Sequence, residues 1–146
     1  MSDPTLPIRI RLADISDYGY ILETWTKNFH ATHPWNFIPN SIYFPWQTAR
    51  INSILSQVTP LVACLDDDPN QIVGYLCAAK HKDSILLHYA VTKGIYRRLG
   101  VMKSLLEQLE YQDKTIVCTH YFGLFKELKD RYHLIYDPTV LEDYVK

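Results

Sequence analysis

The residues best equipped for chemistry fall in one run, from Leu86 to Leu106. An apolar stretch, Ile85 to Val91, ends in a short basic turn carrying Lys93, Arg97 and Arg98. A helical spacing then begins, with Val101, Leu105 and Leu109 on one line and Met102 and Leu106 beside it. A helix that opens near Leu99 presents backbone N–H groups with no partner inside the helix. They lie at the positive end of the helix dipole, an arrangement suited to a phosphate or diphosphate. Gly100 removes a side chain where an anion would approach the backbone closely. Arg97, Arg98 and Lys103 place positive charge at the end of the helix that disfavours it, so a bound anion would explain them. A solvated basic turn with an incidental glycine accounts for the same residues and stays open.

A second group is aromatic. Trp35, Phe37, Tyr43, Phe44 and Trp46 crowd a proline-punctuated stretch from Phe29 to Phe44 and just beyond, read here as a long loop. Such rings could stack on a planar group or cage a cation, or they could cover a sheet edge or a dimer interface. His30 and His33 have a spacing compatible with a metal, but two ligands without a third make a poor site, so no metal is expected. Cys64, Cys77 and Cys118 are far apart and each sits in an apolar run, which reads as buried free thiols in a reducing cytoplasm.

The elements that must position these groups follow from periodicity. Ile8 to Leu12 alternates as a strand with one wet face. Asp14 and Ser16 can cap a helix through Ile21, Leu22 and Trp25, and a second helix is expected from near Pro45, with Ile51, Ile54, Leu55 and Val58 on its apolar side. Leu61 to Leu65 and Ile72 to Ala79 flank the turn Asp66-Asp67-Asp68-Pro69-Asn70, and the turn His81-Lys82-Asp83-Ser84 leads into the strand Ile85 to Val91. A helix over Arg98 to Glu110, a strand Thr115 to Thr119, a helix Phe122 to Arg131 and a strand Leu134 to Tyr136 follow, and Val140 to Val145 reads as a strand or a frayed helix. This order predicts one α/β domain over residues 1–146, a mixed sheet with helices on both faces.

Composition sets the outer limits. A chain of 146 residues supports one core and not two. Fifteen basic residues against sixteen acidic ones leave a net charge of −1, which argues against nonspecific gripping of a nucleic-acid backbone. The longest stretch without a charged side chain, Asn28 to Ala49, contains three prolines and cannot span a bilayer as a helix. The N-terminal Met1-Ser2-Asp3-Pro4-Thr5 does not read as a secretory signal, so a cytoplasmic protein is expected.

The run after Val91 resembles the acetyl-CoA-binding motif of the GCN5-related N-acetyltransferases, in which a strand enters a loop of pattern Gln/Arg-x-x-Gly-x-Gly/Ala and then a helix. Arg97 takes the first place and Gly100 the central glycine, and Leu105-Leu106 match the apolar pair that follows. The resemblance covers roughly residues 8 to 137. Met102 stands where the family prefers Gly or Ala, and the turn between Val91 and Arg97 is one residue longer than usual. The short, aromatic-rich chain looks most like members carried by tailed bacteriophages, for which the location would be the host cytoplasm.

The resemblance implies a mostly antiparallel central sheet of six or seven strands. It also implies that acetyl-CoA or another acyl-CoA lies with its arm against the main chain of Tyr89, Ala90 and Val91. Its diphosphate would then sit on Arg97, Arg98, Leu99, Gly100, Val101, Met102 and Lys103, with His120 in the place of an Asn that touches the arm. The reaction implied is direct attack of a primary amine, from a small molecule or a protein, on the acetyl group. Family bases stand near Ile85 and Leu87, both apolar here. Strand alternation turns the neighbouring His88 to the opposite face, where it reads as a buried, hydrogen-bonded histidine or a water-relayed base. The family's acidic Tyr falls on Glu127, leaving Glu127, Tyr121 or Tyr132 for that role. Trp35, Phe37 and Tyr43 would wall the acceptor site, and a homodimer is one assembly the family implies. Two other readings stand beside this one: a non-catalytic acyl-CoA-binding or interaction protein on the same scaffold, and an enzyme that modifies a nucleobase amine.

Overall fold

The computed structural model describes residues 7–80, 83–96, 100–120, 129 and 132–143. The expected helix Phe122 to Arg131, the turn residues His81 and Lys82, and Arg97, Arg98, Leu99, Tyr121 and Glu127 lie outside the described residues, Lys129 excepted.

Strand β1 (Ile8–Leu12) leads through a short 3-10 turn into α1 (Tyr18–His30). The entry is fixed by Asp17, which accepts a forked pair of bonds from Arg11 (2.6 and 3.0 Å) and a further bond from the Asp14 amide (2.8 Å). Helix α2 (Asn40–Leu55) begins five residues before the expected start, with Pro45 inside it. The Pro39 carbonyl accepts from the amides of Ile42 and Tyr43 and so closes the first turn. Pro45 costs little there, because both it and Ser41, whose carbonyl loses a donor, face solvent.

Strands β2 (Leu61–Leu65), β3 (Asp68–Lys80) and β4 (Ser84–Thr92) are consecutive antiparallel neighbours, and β5 (Thr115–Cys118) and β6 (Leu134–Tyr136) add to β4 in parallel. The sheet has six strands in sequence order, with β1 antiparallel to β2 at one edge. Helix α3 (Val101–Glu107), between β4 and β5, is shorter than expected. Its last residues close into tight turns at Leu109 and Glu110, and Glu110 takes a left-handed backbone (φ 53°) that ends the helix. The expected terminal strand or helix is a 3-10 segment, Pro138–Asp143.

Helices cover both faces, because β3 alternates. Tyr75 points toward α1, where its hydroxyl meets Thr24 Oγ1 (2.7 Å) and the Ile21 carbonyl (3.2 Å). Gly74 points the other way, and a Cβ there would lie 2.8 Å from the Val91 carbonyl oxygen and 3.1 Å from Val101 Cγ1. The missing side chain lets α3 seat directly on the sheet. On the α1 face, Trp25 stacks on Tyr89 (5.2 Å between rings, 12° between planes). The three cysteines are buried free thiols, and burial pushes the Cys118 thiol up to about 12 and Cys77 higher still. No helix among the described residues is long and apolar enough to cross a membrane.

Candidate functional site

Strand β4 is paired with its two neighbours over different lengths. Its register with β3 runs to Thr92, whereas its register with β5 covers only Ser84 to Leu87. The last rung on that side is the Thr119 amide donating to the Leu87 carbonyl at 3.0 Å. Beyond it β4 runs on to Thr92 with no strand in register on that side among the described residues, and this stretch is termed the gap.

The direction of the main-chain groups of β4 beyond Leu87 follows from the ladder. Lys93 donates its amide to the Val73 carbonyl (2.9 Å), and the Val91 carbonyl faces Gly74. Alternation then turns Val91 toward β3, and the amides and carbonyls of Ala90 and Thr92 toward the gap. Ala90 thus fits an arm that pairs with main chain. Tyr89 and Val91 direct their main-chain groups to β3 instead, and the Tyr89 ring is core.

His88 occupies a β-bulge. Cys77 pairs with Tyr89 and Ala78 with Leu87, so His88 is the extra residue. The bulge interrupts the alternation of β4 at His88, whose ring reaches the side chain of Thr119, the residue just past β5. His88 Nδ1 lies 2.9 Å from Thr119 Oγ1, Thr119 Oγ1 lies 3.0 Å from His120 Nδ1, and His120 Nε2 lies 3.0 Å from Gln47 Nε2. All four side chains are buried, between 0% and 1% exposed. Burial, followed by the charges of His88 and Arg50, holds the His120 pKa well below 6.5, so this ring is neutral. With the Gln47 amide nitrogen donating to Nε2, His120 carries its proton on Nδ1 and donates to Thr119, leaving the hydroxyl proton for His88. The base of the gap is therefore a buried polar chain that fixes the ends of β4 and β5 relative to α2. It is shielded from bulk water, which suits positioning better than direct deprotonation of an acceptor.

Helix α3 starts at the far end of β4. Gly100 is its N-cap, with a left-handed φ of 79° and nothing within 4 Å of a Cβ placed there, and its carbonyl accepts from Ser104 at 3.0 Å. Val101 and Met102 are buried in the core and Lys103 is exposed. Met102, which stands where the family prefers Gly or Ala, places its side chain in the core packing.

The aromatic segment divides. Tyr43 is fully buried, with its hydroxyl donating to the Thr26 carbonyl (2.6 Å), so it supports the core and does not wall a pocket. Trp35 is half-buried and stacks on Trp46 (5.1 Å, 24°), and Phe37 is exposed. Tyr132 is displaced from the expected site. It lies just before β6, packs edge-on against Tyr111 (5.0 Å), and shares a recess with Lys114, Thr115 and His133. The register of β5 with β6 puts it level with Lys114, just before β5, roughly 20 Å along the sheet from His120 at about 3.3 Å per residue. A Tyr at that end cannot reach a group held in the gap.

Gln47, Arg50 and Thr119 are site residues that sequence reasoning missed. Arg50 lies one helical turn after Gln47, and its guanidinium carbon is 4.6 Å from the Trp46 ring centre. Polar residues on the inner side of an otherwise apolar helix were the available signal. Among the described residues, no group of three or more His, Cys, Asp or Glu side chains could hold a metal.

No protein-family model matches the chain, and no curated protein matches it by sequence. Solved structures do match. A Pyrococcus furiosus protein with a provisional acetyl transferase designation aligns over 85% of this chain and 91% of its own, at 17% identity and a TM-score of 0.60. A Corynebacterium glutamicum protein described as a histone acetyltransferase and related acetyltransferase aligns over 86% of this chain and 83% of its own, at 16% identity and a TM-score of 0.58. A GNAT-family acetyltransferase of Brucella melitensis, in complex with acetyl-CoA, aligns over 83% and 80%, at 16% identity and a TM-score of 0.51. The chain has the fold of the GCN5-related N-acetyltransferases, a mixed and mostly antiparallel six-stranded sheet with helices on both faces.

Proposed function

We propose that the protein is an acyl-CoA-dependent N-acyltransferase that moves an acetyl group from acetyl-CoA to a primary amine by direct attack. The observation that carries this reading is the half-length pairing of β4 with β5. It leaves Ala90 presenting its amide and carbonyl to a gap where an extended, amide-bearing arm can add as a strand would. The fold likeness to a protein in complex with acetyl-CoA supports the same ligand.

Acetyl-CoA would supply an activated thioester. The chain's own part is to bind and orient it. The Ala90 amide offers a donor within the gap, Gly100 leaves room for a diphosphate at the start of α3, and Lys103 adds an exposed positive charge beside it. Arg97, Arg98 and Leu99 complete that corner in this reading. Tyr121 and Glu127 keep the general-acid role that Tyr132 is too distant to fill. Buried free thiols are consistent with a cytoplasmic setting.

Calorimetry with acetyl-CoA tests the reading. Binding at micromolar affinity is expected, weakened at least tenfold by Gly100→Glu or Arg97→Ala. Absence of heat with acetyl-CoA and related thioesters refutes it. The enclosure of both His88 and His120 favours a second reading, a non-catalytic acyl-CoA-binding protein. Release of coenzyme with any true amine acceptor eliminates that alternative.

A further inference from the structure

Resting on the acyltransferase reading, we propose that the acceptor is an amine that also carries a carboxylate, and that Arg50 on α2 binds that carboxylate at the mouth of the β4–β5 gap. Arg50 stands apart from the other basic side chains that the structure pairs. Arg9, Arg11, Lys27 and Lys80 each have an acidic partner, and Lys93 lies over the Tyr20 ring. Arg50 is half-buried and has no acidic partner among the described residues, and its Nε is buried with no hydrogen-bond acceptor. Burial lowers its pKa, the signature of a cation held in a place that disfavours charge.

The position is the relevant one. Arg50 is close enough to influence both His120, at the end of β5, and Tyr136, at the end of β6. Both lie at the C-terminal ends of parallel strands, the end at which β4 runs on past β5. The guanidinium lies over Trp46, which stacks on Trp35, so its plane is braced by two indole rings. A braced, planar guanidinium presents two parallel N–H donors, which match the two oxygens of a carboxylate. One turn earlier, Gln47 Oε1 is also buried without a hydrogen-bond partner among the described residues. The site thus combines one cation and an apolar indole wall beside the buried Gln47–His120 pair. That combination fits a zwitterionic amine with an apolar body.

The transfer balances as follows. The bound ammonium first releases one proton to solvent. The neutral amine then attacks the thioester carbonyl, a C–N bond forms and the C–S bond breaks. The second amine proton passes to the departing thiolate, giving an amide and a free thiol.

The test compares matched amines with radiolabelled acetyl-CoA: tryptophan against tryptamine, and phenylalanine against phenethylamine and phenylalanine amide. The carboxylated member should be favoured roughly 10- to 100-fold in kcat/KM, the size of a hydrogen bond to a charged group. Arg50→Met should erase the preference by raising KM, and Arg50→Lys should restore part of it. Equal rates for tryptophan and tryptamine, or a preference that survives Arg50→Met, overturn the proposal. Calorimetry of tryptophan and tryptamine without coenzyme separates the two claims. If acetyl-CoA does not bind, the acyltransferase reading fails, while Arg50-dependent binding of tryptophan alone still supports the carboxylate site. If tryptophan binds no better than tryptamine and no amine is acetylated, the carboxylate site is refuted as well.

Discussion

Replacing Thr119 with valine keeps the shape of the side chain and removes one oxygen. That oxygen is shared by two buried imidazoles, His88 Nδ1 at 2.9 Å and His120 Nδ1 at 3.0 Å. Thr119 is itself only 1% exposed, so water cannot take over either bond without a rearrangement. Each orphaned polar atom costs about 1–3 kcal/mol, which sums to roughly 2–6 kcal/mol for Thr119→Val. Thr119→Ser keeps the hydroxyl and loses one methyl group, at a cost of about 1 kcal/mol. The expected order of stability is therefore wild type, then serine, then valine, whereas burial of apolar surface alone would put valine level with wild type. Urea unfolding followed by tryptophan fluorescence at pH 7.5 reads the order directly, since Trp25 packs edge-on against His120 (5.2 Å). Valine as stable as serine would refute the shared-hydroxyl argument.

Because the folded state holds His120 neutral, the unfolded chain binds a proton that the folded one does not. Stability is thus complete above the ordinary histidine pKa near 6.5 and falls on acidification below it, by at most ~1.4 kcal/mol per pH unit from this group; His120→Asn should flatten that slope in melting curves between pH 6.5 and 5. Asp17 acts in a lower window. Its carboxyl is held below 3.8 by the Arg11 bonds, so its contribution is present above that value and is lost as pH falls through the folded-state pKa. Asp17→Asn should cost about 3 kcal/mol at pH 7, near the lower limit for breaking a buried pair, and the difference from wild type should vanish in strong acid. Gly74→Val should destabilise by about 1–3 kcal/mol through the clash with Val91 and Val101, seen as a lower melting temperature.

The architecture was legible because its signals are local. The alternation of Ile8 to Leu12 and the apolar runs around the Asp66–Asn70 turn mark β1, β2 and β3 well. Where α2 begins was hidden because a proline usually marks a start, and only the exposure of Pro45 and Ser41 makes an internal proline tolerable. The site was harder. Ala90 and Gly100 stand in a motif that can be read along the chain, but the bulge at His88 depends on the register of β3, which no local pattern records. Gln47, Thr119 and His120 meet only because α2 folds over the end of β5. Tyr43 and Phe37 look alike in a list of aromatic residues, yet one is a hydrogen-bonded core residue and the other is exposed, a distinction made by helix phase.

The cysteines bear on how acyl transfer would be assayed. Coenzyme freed by acyl transfer has a reactive sulfhydryl, while Cys64, Cys77 and Cys118 are sealed within the fold. A chromogenic disulfide should therefore register the liberated product against a quiet background for as long as the protein stays folded. The same reagent, added to a chain opened by urea, would count up to three further equivalents and report on its own integrity.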